Sequence, residues 1–284
     1  MEPITPTIVN ALSVDVEEHY HAMIFREGVK GNLAGALESR VEANVDRILR
    51  LLGDRDTLAT FFVLGEVAAA HPVMVRRIAD QGHEIGCHNF HHELVSRRTP
   101  KEFREDVRRA KSLLEDLTEK PVIGYRAPSF SIGNAQRWAY DILVEEGFRY
   151  DSSVYPILHD RYGHPSAPRF PYEIHRNGNG SLIEFPIGTT RLLGLNLPIG
   201  GGGYFRLLPL ALIRWGFEQV NARERRPVMF YFHPWELDPG QPTPPMPWHH
   251  RFRHYVGIPS VEARLSSLLG DFHFSTVQSI LGMG

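Results

Sequence analysis

Two rhythms of apolar residues take turns along this chain. Short runs rich in β-branched and aromatic side chains fall at 8–16, 58–64, 83–87, 122–126, 150–154, 182–187, 228–233 and 272–277, and read as strands. Between them lie amphipathic stretches at 41–52, 66–81, 101–117, 135–146, 209–220 and 260–269. In the third of these, Phe103, Val107, Ala110, Leu114 and Leu117 recur at three- and four-residue spacing and mark one apolar helix face. Pro100 before that stretch and Gly82 after the preceding one punctuate it sensibly. Strand–helix alternation predicts parallel strands joined by right-handed crossovers, hence an open α/β sheet or a barrel. With no repeat or low-complexity linker, residues 1–284 read as one domain.

Three segments break the pattern. Residues 155–172 are rich in Pro, Gly and His, and 239–259 hold six prolines with Trp248, His249 and His250. Loops this long inside a compact domain are usually functional. The third, 198–208, contains Gly200-Gly201-Gly202-Gly203-Tyr204-Phe205-Arg206. It lacks the spacing of a phosphate-binding loop and a following capped helix, so a turn in which backbone packs closely is expected, with Tyr204 and Arg206 beside it as candidate cleft residues.

Composition narrows the function classes. The 31 basic and 33 acidic residues nearly cancel, which leaves no electrostatic footprint for nucleic acid. One cysteine rules out a disulfide framework or a multi-thiolate zinc cluster. No apolar run approaches eighteen residues, so no membrane-spanning helix is expected. Asp15, Glu17 and Glu18 interrupt the place where a secretory leader would continue, so the expectation is a cytoplasmic, at most membrane-peripheral, protein.

Active sites of barrels and parallel sheets gather at the carboxyl ends of strands, and five predicted strand ends here carry polar or ionisable residues. The first gives Asp15, Glu17 and Glu18, the third His88 and His92, the fourth Arg126 and Phe130, the fifth Asp151, the seventh His233, Trp235 and Glu236. Two imidazoles four residues apart look like part of a metal site completed by a carboxylate. The chemistry fits hydrolysis of an amide or ester: the metal polarises the carbonyl, a carboxylate takes the water's proton, an acid protonates the leaving amine. Asp15 suits the base and His233 the acid. Arg126 would hold Asp15 ionised, and Asp151 would orient His233 and raise its pKa.

These segments together resemble the motif set of the polysaccharide deacetylases of carbohydrate esterase family 4. The resemblance runs from about residue 11 to residue 234 and rests on His88 to His92, Arg126-Ala127-Pro128 and the apolar strand ending in His233. Ser13-Val14-Asp15-Val16-Glu17, Tyr150-Asp151-Ser152-Ser153, Gly202-Gly203-Tyr204-Phe205-Arg206 and Phe232-His233-Pro234-Trp235-Glu236 are similar to the subgroup found at exosortase exopolysaccharide loci. The resemblance implies the NodB-homology fold, a distorted (β/α) barrel, and removal of acetyl from an N-acetylated amino sugar of a polysaccharide or its lipid-linked precursor.

The family's usual Thr-Phe-Asp-Asp-Gly is not kept: the second acid is replaced by Val16. Period-two alternation puts Asp15 and Glu17 on one side of the strand, so Glu17 is expected to join His88 and His92 around one divalent ion, zinc for this donor set. The alternative has Asp15 as ligand and Glu17 or Glu18 as base. Tyr204, Arg206, Trp235 and Phe130 are candidates to bind carbohydrate, although core packing suits each aromatic equally. Cys87 is expected to point away as a small buried hydrophobe, and His19, His21, His83 and His91 to lie at the surface or behind the ligands. Two competing readings remain: a cyclic amide or imide hydrolase on the same fold, and a barrel that only binds glycans.

Overall fold

The computed structural model describes residues 8–22, 25, 38–159 and 162–283. Its strands are β1 (Val9–Val16), β2 (Thr60–Val63), β3 (Glu84–Cys87), β4 (Gly124–Tyr125), β5 (Tyr150–Asp151), β6 (Tyr172–Asn177), β7 (Gly180–Glu184), β8 (Thr189–Leu192), β9 (Leu195–Pro198), β10 (Met229–Phe232) and β11 (His273–Ser275). The main sheet has the order β10-β1-β2-β3-β4-β5-β7-β6, with β11 also paired to β1. Every pairing in it is parallel except β6 with β7. The helices are α1 (Val41–Gly53), α2 (Gly65–Ala70), α3 (Pro72–Asp80), α4 (Pro100–Thr118), α5 (Trp138–Glu145), α6 (Gly202–Leu207), α7 (Leu210–Glu218), α8 (Trp248–Tyr255), α9 (Val261–Asp271) and α10 (Val277–Ile280). The α/β alternation read from the pattern is therefore present, and the strands in it are parallel.

The sheet curls until its two sides are joined by backbone alone. Ile187 N–H donates to Val154 O at 2.9 Å, Gly188 N–H to Met229 O at 2.9 Å, and Tyr231 N–H to Gly200 O at 2.8 Å. These bonds carry the ring from β5 and β7 round to β10 and give a distorted (β/α) barrel. Glycine is required for that seam. A Cβ on Gly188 would sit 2.4 Å from Val228, and one on Gly201, already at φ +108°, would sit 1.8 Å from Tyr231 O. The glycine run thus packs backbone against β10, as expected. A short helix, α6, begins within the run at Gly202 and has no side-chain cap, in keeping with the lack of a following capped helix in the sequence.

Large apolar side chains fill the space between sheet and helices. Val45, Ile48 and Leu52 from α1, Val75 and Ile78 from α3, and Phe103, Val107 and Leu114 from α4 are all fully buried against Leu12, Val14, Val16, Phe61 and Val63. Cys87 belongs to this core, and burial pushes its thiol up to about 12. α4 starts on a capping box between Thr99 and Glu102 with Pro100 as its first residue.

The stretch 66–81, expected as one helix, is two. Pro72 has no N–H to continue the ladder and drives His71 out of helical geometry, to φ −130° and ψ 56°. β6 and the β8–β9 hairpin were not anticipated. Neither was α8, whose residues had been expected in an irregular loop.

Candidate active site

Because the strands run parallel, their carboxyl ends open on one side of the barrel, and the loop leaving β3 opens there. Its shape is fixed by backbone bonds. Asn89 takes a left-handed conformation (φ +66°) that asparagine tolerates. Its carbonyl accepts from Gly65 N–H and its side chain from Tyr125 Oη at 2.6 Å. Asp106, reaching across from α4, accepts the Phe90 N–H at 2.8 Å and pairs with His91 and Arg98. The sequence reading missed Asp106, an acid whose only signal was its place on a mostly apolar helix face. The result aims two imidazoles inward. His88 Nδ1 donates to the Arg126 carbonyl at 2.8 Å, which leaves Nε2 as its acceptor lone pair. Burial lowers its pKa to about 4, keeping it neutral, as a ligand must be.

Asp15 and Glu17 face the same space from the end of β1, each 3% exposed. His92 Nε2 lies 2.7 Å from Glu17 Oε2, and one donor atom each from Glu17, His88 and His92 all fall within 4.8 Å of one another. Glu17 Oε1 accepts from Trp235 Nε1 at 3.1 Å, whereas Oε2 is buried facing His92. Burial would raise the Glu17 pKa, but His92 and then His233 and His88 outweigh it and hold the carboxyl well below its usual range. A buried carboxylate and two buried imidazoles whose donor atoms lie this close together are the set a small divalent ion takes, so the site fits one.

Asp15 differs from Glu17 in what holds it. Arg126, fully buried, donates from Nη1 to Asp15 Oδ1 at 2.6 Å and to Ser13 Oγ at 2.9 Å, and from Nε and Nη2 to Ser152. Its guanidinium also covers the Phe62 ring at 4.3 Å. One Asp15 oxygen is thus tied down and the other, Oδ2, points toward His233 Nε2, 3.9 Å away.

His233 does not meet Asp151. It meets Glu236, three residues on in its own strand-end turn. Glu236 Oε2 accepts the His233 backbone N–H at 3.0 Å and lies 3.3 Å from Nδ1. Arg206 Nε donates to Glu236 Oε1 at 2.6 Å, and Arg206 Nη1 braces the carbonyls of residues 253, 254 and 256. Burial alone would lower the His233 pKa. Glu236, Glu17 and Asp15 override it and push it up to about 9, while the same pairing with Arg206 and His233 holds Glu236 at about 2. Asp151 lies deeper, accepts from Ser153 Oγ at 2.5 Å and is paired with Glu184. The sequence shows which strand end bears an acid but not which acid a ring will reach.

Comparison with known proteins adds the family. Residues 22–143 match the polysaccharide deacetylase family, and residues 152–282 match a domain of unknown function, DUF3473. The chain is 27% identical over 146 residues to a peptidoglycan deacetylase of Helicobacter pylori, a match covering 51% of this chain and 45% of that protein. Residues 22–143 are thus similar to the polysaccharide deacetylases. The chain spans less than half the length of that curated relative. Among solved structures, a putative polysaccharide deacetylase from Mycobacterium smegmatis superposes with TM-score 0.65 over 99% of this chain and 91% of that one, at 20% identity. The allantoinase Puue superposes with TM-score 0.63 over the same 99% and 91%, at 16% identity. At such identities the likeness is one of fold.

A cleft of about 360 Å³ opens over the donor cluster. All four carbohydrate-binding candidates line it, but two are committed elsewhere. Trp235 is stacked between His233 (4.9 Å) and His254 (4.4 Å), so neither face is open to a sugar. Arg206 spends its donors on Glu236 and on carbonyls, as above. Phe130 and Tyr204 remain in the wall, Phe130 edge-on to Tyr155 and Tyr231. Ser129 and Phe130 both hold positive φ (54° and 53°), a strained pair at the cleft floor. His19, His21 and His83 prove buried rather than superficial, and His21 stacks on His92 at 5.9 Å.

Proposed function

We propose that this chain is a metal-dependent hydrolase that removes acetyl from N-acetylated amino sugars of a polysaccharide or its lipid-linked precursor, in exopolysaccharide synthesis. One observation carries the reading: Asp15, Glu17, His88, His92 and His233 converge on one cleft from three strand ends. Glu17, His88 and His92 would hold the ion, zinc by donor type, which when bound supplies Lewis acidity for the acetyl carbonyl. Asp15, with Oδ1 fixed by Arg126, takes the attacking water's proton on Oδ2. His233 carries its proton on Nε2, facing that same space, and delivers it to the nitrogen as the carbon–nitrogen bond breaks. Glu236 keeps that ring charged and aimed, a role first expected of Asp151. Phe130 and Tyr204 give the sugar apolar walls.

The test joins elemental analysis of the purified protein to acetate release from N-acetylglucosamine oligomers. The reading expects about one divalent ion per chain and ion-dependent acetate release. Opening of a cyclic ureide without acetate release would replace it with the cyclic-amide alternative.

A further inference from the structure

The exposed large hydrophobic side chains of the described residues are not scattered evenly. Val9 and Leu58 sit at the amino ends of β1 and β2, away from the cleft. Val73 lies on α3, Leu192, Leu193 and Leu195 lie on the β8–β9 hairpin, and Leu158, Leu207, Trp248 and Phe252 lie in the segments 155–172, 198–208 and 239–259 that make the cleft rim. Leu207 and Phe252 line the cleft mouth, Trp248 lies one helical turn before Phe252 on α8, and Leu158 precedes the cleft residue His159. The β8–β9 hairpin is tied to the same rim, since Asn196 Nδ2 donates to Pro156 O at 2.7 Å.

The hairpin tip is the informative part. Leu193 and Gly194 both have positive φ (51° and 82°), so they form a two-residue turn of the kind that favours Asn-Gly. A leucine there is strained, and at 95% exposure it gains nothing from packing. Leu195, next along the hairpin, is 75% exposed. Such a residue costs the isolated fold and has to be used by something outside it.

Charge says what that is. Residues 186–209 and 239–259 contain four arginines and not one Asp or Glu, in a chain whose overall charge is −2. Arg206 is consumed by Glu236, but Arg191, Arg251 and Arg253 are exposed beside the leucines and aromatics. Apolar tips flanked by guanidinium groups match the layered chemistry of an anionic bilayer surface, acyl chains beneath phosphates. We propose that this rim docks on an anionic lipid bilayer, with the β8–β9 tip and α8 entering the interface and the cleft mouth held against it.

The experiment is flotation of the full chain with vesicles of phosphatidylcholine alone and of phosphatidylcholine with 30% phosphatidylglycerol, without any sugar, so that failure of the deacetylase reading leaves it interpretable. The expected result is binding to the anionic vesicles that weakens as salt is raised. The double variant Leu193→Asn, Leu195→Thr should bind at least tenfold more weakly, with an unchanged or higher melting temperature because asparagine suits the turn. Trp248→Ser should weaken binding independently. Absence of wild-type flotation, equal flotation of the double variant, or indifference to the anionic lipid would each overturn the proposal. So would a concentration-dependent dimer, without flotation, that the double variant abolishes, which would give the rim to a second copy.

Discussion

Buried carboxylates occur at two depths in this barrel, and they meet opposite fates. At the mouth, Asp15, Glu17 and Glu236 each find a guanidinium or imidazole within about hydrogen-bond reach, and the Glu17 and Glu236 carboxyls are held below their usual range. Lower down, Glu84 accepts only from Thr60, Tyr150 and the Gln278 N–H, and Asp151 faces Glu184. With little cationic help, burial dominates there and raises all three pKa values. The same residue type is therefore paired with a cation at one level and left to neutral partners or another acid at the next. What separates them is whether a cation shares their pocket, not how deeply they are buried.

The comparison is broken most severely by removing charge at the mouth. Asp15→Asn should cut turnover by roughly three to four orders of magnitude yet keep the ion, because an amide cannot accept the water's proton while Glu17, His88 and His92 are intact. Glu17→Gln should lose ion affinity first and recover part of its activity in excess metal. Elemental analysis beside acetate-release assays separates the two, and the crossed result would exchange base and ligand. His233→Ala should cost roughly two to three orders of magnitude in turnover with metal retained. Near-normal activity would remove this ring from the mechanism.

A smaller effect sharpens the claim that partners decide the role. Glu236→Gln keeps the shape of the turn but removes a charge from beside His233, so turnover should fall about ten- to a hundredfold. A general acid works while protonated, so activity is lost as pH rises through the His233 pKa. Without Glu236 that pKa drops, and the alkaline limb of the kcat/KM profile should move to lower pH. A limb that stays in place would show that another group sets it.

Much of this was legible in the sequence, and what was not has physical causes. Strand–helix alternation follows from burial periodicity, which the residues carry themselves. Asp15, Glu17, His88, His92, Arg126 and His233 could be named because ionisable residues at the ends of apolar strands have few bland explanations. Pairing is another matter. Asp151 ends β5 and Glu236 sits just past β10, and only the turn at Pro234 brings one of them to His233. Trp235 looked like a sugar platform because its sequence does not reveal that two imidazoles already cover it. The β8–β9 hairpin was hidden because its leucines face outward, against the rule that periodicity reading relies on.

The gentlest test lies in the lower layer. Asp151 and Glu184 lie side by side, and their Oδ2 and Oε2 atoms are buried without a donor from any other described residue. Burial carries the Asp151 pKa up to about 6 despite the hydrogen bonds with Ser153 and Glu184, against about 3.9 in an unfolded chain. Between those values the folded protein binds more protons than the unfolded one, so this pair makes stability fall as pH rises from about 4 toward 6. Replacing both acids with their amides, Asp151→Asn and Glu184→Gln, should flatten that part of the melting-temperature profile. Acetate release at neutral pH should change by no more than a few-fold, since no reacting atom is touched. If the double variant instead lost activity as severely as Asp15→Asn with its melting temperature unchanged, the lower acids would belong to the reaction, and the division between the two depths would fail.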